Sequence, residues 1–171
     1  MVLISAWLWF DSEEKQTQLP SSQRNSDYAM TDFTMNIMDI NGEPARILKG
    51  KLMEHFPHDD STEITDPIAV FMQKGRDTWE ITADHGHTNG DGEIILLTDN
   101  VVITNLDNPA FEMLTEKLTL NTVDNTAYTD QHVTIHSPRG DTYAVGLHAD
   151  MDEETINLHS KVKGQYDAPQ N

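Results

Sequence analysis

One loose repeat limits the possible folds of this chain more than any other feature. An apolar or small residue is followed two positions on by a second, and four further on by a valine. The copies are Ile95-x-Leu97-x-x-x-Val101, Ala127-x-Thr129-x-x-x-Val133 and Ile156-x-Leu158-x-x-x-Val162. An Ala-Asp pair stands upstream of the first and last, at Ala83-Asp84 and Ala149-Asp150. The copies recur about every 30 residues, the mark of one supersecondary unit stacked on copies of itself. Residues two and six apart share one face of a strand, so the unit is β. Stacked β units imply a long sheet-built body around one apolar interior, with a trough for a greasy ligand and open strand edges for a partner.

The rest of the chain keeps the same period. Phe33, Met35 and Ile37 alternate with Thr34 and Asn36, a half-buried strand. Tyr28 and Met30 fall in the opposite register, which predicts a bulge near Thr31-Asp32. Asn41-Gly42 is a strong hairpin signal, since both residues tolerate the positive φ of a type I′ turn. The return strand runs from Ala45 to His55, kinked at Gly50. Pro57 to Asp60 is a turn, and the strand Ile64 to Met72 breaks at Asp66-Pro67. Gly75 turns the chain into Trp79-x-Ile81-x-Ala83, and His85 to Gly92 reads as a loop. Ile94 to Thr104 reads as two short strands parted by Asp99-Asn100. Phe111 to Asn121, Ala127 to His136, Thr142 to Ala149 and Thr155 to Tyr166 complete the pattern, with Ser137 to Gly140 closing a hairpin. Beyond Pro20 no helix of even about ten residues is convincing. About 12–15 short strands with closely spaced turn signals predict an all-β, antiparallel jelly roll or open sandwich in one domain, residues 28–166.

Charge removes whole classes of function. The 171 residues carry a formal charge of −18, and between Arg76 and Arg139 the sole basic residue is Lys117. Neutralising nucleic-acid phosphates needs clustered Lys and Arg, and so does adhering to anionic lipid surfaces. There is no cysteine, hence neither disulfide framework nor thiolate chemistry. The run Val2 to Phe10 is apolar or small and stops at Asp11, with Trp7 and Trp9 at its polar end, as at a membrane interface. It is too short to span, which takes about 20 residues. It reads as the C-terminal part of a membrane anchor at 1–10, or else as an apolar tail. A polar tether at 11–27 and a C-terminal tail at 167–171 frame the β domain.

A search for catalytic motifs returns little. There is no G-x-S-x-G elbow, phosphate loop or H-E-x-x-H motif. His85-x-His87 beside Asp84 lacks further ligands for zinc and reads as solvated loop histidines. The run His58 to Glu63 does not match a calcium loop and reads as a turn. Asp84 and Asp150 are expected to end strands and cap turns. Met30, Met35, Met38, Met53 and Met72 suit either a compliant lipid-binding interior or ordinary core filling.

An ordered set of short stretches resembles the LptC family, the membrane-tethered periplasmic component of the lipopolysaccharide export bridge of Gram-negative bacteria. It begins with Asp27 to Phe33 and Gly42-x-Pro44, then His55 to Glu63 and Trp79-x-Ile81-x-Ala83-Asp84-x-Gly86. Asn100-Val101-x-Ile103, Thr129-Asp130-x-x-Val133 and Gly146-x-x-Ala149-Asp150 follow. The set ends in Ile156-x-Leu158-x-x-x-Val162-x-Gly164-x-Tyr166 and so covers nearly the whole chain.

The resemblance implies a single-pass inner-membrane protein whose β-jellyroll stands in the periplasm, with no enzymatic activity and no cofactor. Lipopolysaccharide would enter an apolar groove from the LptB, LptF and LptG transporter and pass to LptA. The groove residues expected on this basis are Phe33, Met35, Ile37, Ile47, Trp79, Ile81 and Ile95, with Leu97, Val101, Ile103, Val133, Ile135 and Val145. The N-terminal edge, with Tyr28 and Met30, would meet the periplasmic domain of LptF. The C-terminal edge, with Gly140, Gly146, Ile156, Leu158, Val162 and Tyr166, would template LptA by strand addition. The same edges leave a homodimer open. Acyl chains would enter the groove while phosphates and sugars stay in water. The alternatives are a β scaffold or adhesion domain that pairs through its edges around a solid interior, and a carbohydrate-acting jelly roll. The last would need a pair of carboxylates that the chain does not single out.

Overall fold

The computed structural model describes residues 25–39, 41–73 and 76–166. The expected anchor segment at 1–10, all but the last residues of the expected tether, the expected turn at Gly75 and the expected tail at 167–171 lie outside them. The described chain forms eleven antiparallel strands. They are β1 (Tyr28–Met38), β2 (Pro44–Phe56), β3 (Ser61–Thr65), β4 (Ile68–Gln73), β5 (Arg76–Thr82), β6 (His85–Asn89), β7 (Ile94–Asn105), β8 (Glu112–Asn121), β9 (Thr126–Ser137), β10 (Gly140–Asp150) and β11 (Thr155–Tyr166). They hydrogen-bond in the order β11-β10-β9-β8-β7-β5-β4-β2-β3-β6, with β1 on the free side of β2 and β6 returning to β7.

The pairing divides this ladder into two leaves. On the first, 52–56 of β2 pairs β3, β3 pairs β6, and β6 pairs 95–98 of β7. On the second, 46–49 of β2 pairs β4, β4 pairs β5, and β5 pairs 102–105 of β7. The long strands β1, β2 and β7 to β11 run through both leaves. Between the leaves lies a crease that every strand either crosses or ends at. The chain breaks there at Asp66-Pro67, where Asp66 has φ 49°, and again at Ala83-Asp84. Backbone bonds stitch the breaks together: Asp66 N–H to the Asp84 carbonyl (2.9 Å), Ala83 N–H to Pro67 (3.2 Å) and Asp84 N–H to Asp99 (2.9 Å).

The crease explains the sequence repeat. In β7, Asp99 and Asn100, at φ 64° and 50°, stand opposite Glu116 alone. In β9, Asp130 and Gln131 oppose Gly146, and in β11 Lys161 and Val162 oppose Ala144. Each copy of the repeat is therefore a strand carrying a β-bulge, which bends and twists it from one leaf into the other. On β8 the inward residues change parity at the same line, from Met113 and Thr115 to Leu118 and Leu120. That accounts for the imperfect alternation of this segment.

Several expectations are corrected. There are eleven strands rather than about 12–15, because strands such as Ile94 to Asn105 run through the crease unbroken. Part of the expected loop at His85 to Gly92 is strand β6, held by β3 on one side and β7 on the other. Near Thr31-Asp32 the register does not shift: Thr31 faces Leu52 and Phe33 faces Gly50. The left-handed Asp32, at φ 47°, changes the inward face instead. The hairpin after β1 is not type I′. Only Gly42 is left-handed, at φ 80°, and its N–H donates to the Asp39 carbonyl (3.1 Å). The Asp39 carboxylate accepts from the N–H groups of Asn41 and Glu43 (2.8 and 2.9 Å). Those backbone donors hold its pKa below the ordinary carboxylate value. Gly50 is a point of close approach, where a Cβ would meet the Phe33 ring at 2.8 Å.

Candidate functional site

The space between the leaves differs sharply from end to end. At the β1–β2 end they stand apart around a cavity of about 450 Å³. Met30, Met53, Ile64, Ile95 and Leu120 line it from the first leaf, and Met35, Ile37, Ile47, Leu48, Ala69 and Phe71 from the second. Its rim holds Tyr28, the Gly90–Gly92 turn and Thr122. Further along, the leaves close on one another. Trp79, Ile81, Ile103 and Met113 meet Ala127, Ala149, Met151 and Ile156 with only about 10 Å³ between them. Trp79 packs edge-on to Phe111 at 6.2 Å, and its indole Nε1 is buried with no hydrogen-bond partner among the described residues.

The expected groove residues therefore divide. Met35, Ile37, Ile47 and Ile95 line the cavity. Phe33 is buried with Leu48, Met53 and Ile64 in the smaller of two apolar clusters. Trp79, Ile81, Leu97, Val101, Ile103, Val133 and Ile135 belong to the larger cluster, and of these Trp79, Ile81 and Ile103 line the closed part. Val145 pairs with His132 and Ser160 at the bulged line and lines neither space. Tyr28 and Met30, expected at an edge, also line the cavity. Sequence reasoning missed Arg46, Leu48, Ile64, Ala69, Phe71 and Leu120. Met53 was legible only as part of the methionine group, three of whose members, Met30, Met35 and Met53, meet in this space.

Among the described residues both outermost strands pair on one side only. On β1, Tyr28 and Met38 are exposed, as is Val162 on β11. Ile156 and Leu158 are half-buried and pack on the larger cluster. Gly140 opens β10 opposite Tyr166. Gly146, at φ 83°, has the ring of His159 where a Cβ would stand, 2.7 Å away.

The first turn of β1 is held electrostatically. His55 Nδ1 lies 2.7 Å from the Asp27 carboxylate and Nε2 lies 3.1 Å from that of Asp60. The Tyr28 ring stacks on the imidazole at 4.8 Å. The hydrogen bonds to Asp27 and then Asp60 raise the His55 pKa, and the bond to His55 lowers that of Asp27. Asp84 accepts from Asn100 Nδ2 (2.6 Å) at the crease, and Asp150 accepts from the N–H groups of Asp152 and Glu153. These two aspartates tie a bulge and cap a turn, and His85 and His87 lie on strand β6. Among the described residues no group of His, Asp or Glu is placed to hold a metal ion, and no helix is long and apolar enough to cross a membrane.

The architecture has a counterpart among solved structures. LptH from Pseudomonas aeruginosa, described as the LptA homologous periplasmic component of the conserved lipopolysaccharide transport device, aligns with a TM-score of 0.54. The alignment covers 72% of this chain and 95% of LptH at 7% identity, a likeness of fold. No curated protein matches the sequence. A family model, LptC-related lipopolysaccharide assembly, matches residues 1–167. The chain thus belongs to the LptC family, whose members are components of lipopolysaccharide transport and not enzymes.

Proposed function

We propose that the cavity at the β1–β2 end receives the acyl chains of lipopolysaccharide as they leave the inner-membrane transporter formed by LptB, LptF and LptG. The observation that carries this reading is the uneven separation of the leaves: about 450 Å³ at one end and about 10 Å³ at the other. The larger volume falls in the range of ligand sites. Each methylene sheltered there gains about 0.8 kcal/mol, so even partial cover of several chains is a strong drive. Methionines on both leaves, Met30 and Met53 on the first and Met35 on the second, suit chains of irregular shape. The unpaired side of β1 would dock on LptF and that of β11 on LptA, each by strand addition. The domain would stand in the periplasm, tethered to the inner membrane on its N-terminal side. Passage to LptA then requires the closed end to part during transport.

The test places a photocrosslinking residue at Ile37 in the cavity, at Ile103 in the closed part and at Tyr143 on the outer face. The readout is lipopolysaccharide adducts in cells with the transporter energised. Adducts at Ile37, with ATP-dependent adducts at Ile103 and none at Tyr143, are expected. An assembled protein with no adduct at either inward position would favour a scaffold with a solid interior, the reading to which the packed β8–β11 end lends itself.

A further inference from the structure

Strand β2 carries one residue that does not belong on an apolar wall. Arg46 faces inward, paired with Ile37 on one side and Phe71 on the other, and both neighbours line the cavity. Among the described residues it is the only cationic side chain in that lining, and the one carboxylate there, Asp91, is exposed on the rim. Burying a guanidinium is costly unless its donors are satisfied.

The group is held from one side only. Its Nη1 donates to the Thr122 carbonyl and, at 3.5 Å, to Asn125 Oδ1, so it reaches from the second leaf to the turn between β8 and β9. Asn125 is itself fixed by Asp152, to whose carboxylate its amide donates at 3.2 and 3.1 Å. Burial lowers the pKa of the guanidinium below its ordinary value, and the charge of Asp152 opposes this only in part. The Nε–H, by contrast, is buried and has no acceptor among the described residues. An arginine oriented through Nη1, set in the lining of an apolar cavity and with its Nε unpartnered among the described residues, is half of a fork that matches the oxygens of a phosphate.

We propose that Arg46 is an anion-binding residue inside the groove, taking one phosphate of the glycolipid whose acyl chains fill the cavity. The proposal rests on the groove reading above and revises one expectation: one phosphate leaves water and sits against the wall. A single cation in the described lining of the cavity, in a chain of charge −18, gives orientation without tight retention. The shared chemistry is a phosphate oxygen, which a free phosphate ion also offers.

The experiment measures binding of the full chain to hexa-acylated lipid A with both phosphates, and to the same lipid dephosphorylated. Competition for a fluorescent acyl probe gives the affinities, and inorganic phosphate is a third ligand. The wild type should prefer the phosphorylated lipid about tenfold, or about 1.4 kcal/mol. Arg46→Gln should lose that preference, and Arg46→Lys should keep part of it. Equal affinities in the wild type, or a preference that survives Arg46→Gln, would overturn the phosphate site and leave the groove standing. Binding of neither lipid would overturn both. Inorganic phosphate binding as tightly as the phosphorylated lipid would overturn the lipid assignment. Should Arg46→Gln fail to fold, the wild-type comparison still decides.

Discussion

At the scale of single residues, the pH dependence of the β1 edge rests on His55. Its pKa is raised by hydrogen bonds to Asp27 and Asp60. The contribution of the charged imidazole is therefore complete below its unfolded pKa, about 6.5. It is lost as pH rises through the higher folded value. Amide exchange at 27–30 should accelerate over that window, after correction for intrinsic rates. His55→Gln should show fast exchange at every pH, and an uncorrelated profile would remove His55 from this role. Gly50 and Gly146 are constrained for different reasons. At Gly50 the Phe33 ring takes the room a Cβ would need, whereas Gly146 is also left-handed and faces His159. Gly146→Val combines strain with overlap and should cost about 1–3 kcal/mol. Exchange protection of β11 in that variant, set against β2 in the same molecule, tests whether the damage stays at the C-terminal edge.

At the scale of elements, the two parts of the interior predict unequal responses to truncation. Met113 is 2% exposed in the closed part. Met113→Ala should leave a cavity and cost about 2–5 kcal/mol. Met35 borders space that already exists, so Met35→Ala should cost well under half as much, read from urea midpoints. Similar losses would mean that the two ends are equally packed in solution. The strands themselves were legible because Phe33-x-Met35-x-Ile37 and Trp79-x-Ile81-x-Ala83 alternate cleanly. Strand β6 was not, since His85 to Asn89 has no apolar side chain and is extended because neighbours on both sides take its backbone bonds. Asp99-Asn100 read as a strand break, because left-handed Asp and Asn occur both at turns and within bulges. The cavity was legible only in part. Ile37 and Ile103 sit alike in strands with apolar residues two positions before them, and no local pattern records that opposing residues touch in one place and stand apart in another. Arg46 escaped notice because a charge within a strand normally marks the solvated face.

At the scale of the whole molecule, function and fold meet in one undivided ladder. Its ends, β1 and β11, are bare edges of the kind that soluble proteins usually blunt. A proline replacing Leu158 should remove backbone pairing from β11 and abolish LptA capture while leaving acyl-probe binding in the cavity near wild type. Capture that survives would move the contact away from this edge. The crease has a mechanical consequence. Seven long strands (β1, β2 and β7 to β11) cross it, so sliding one leaf along the other would shear each of them at once. Rotation about the shared line is the one soft motion left, as with a book held by its spine. Because Asp32, Asp66 and Asp99 already hold left-handed backbone along that line, its curvature is set before any guest arrives. Prising the pages apart at one end then twists the spine, and the torque is felt at the end where they are still shut.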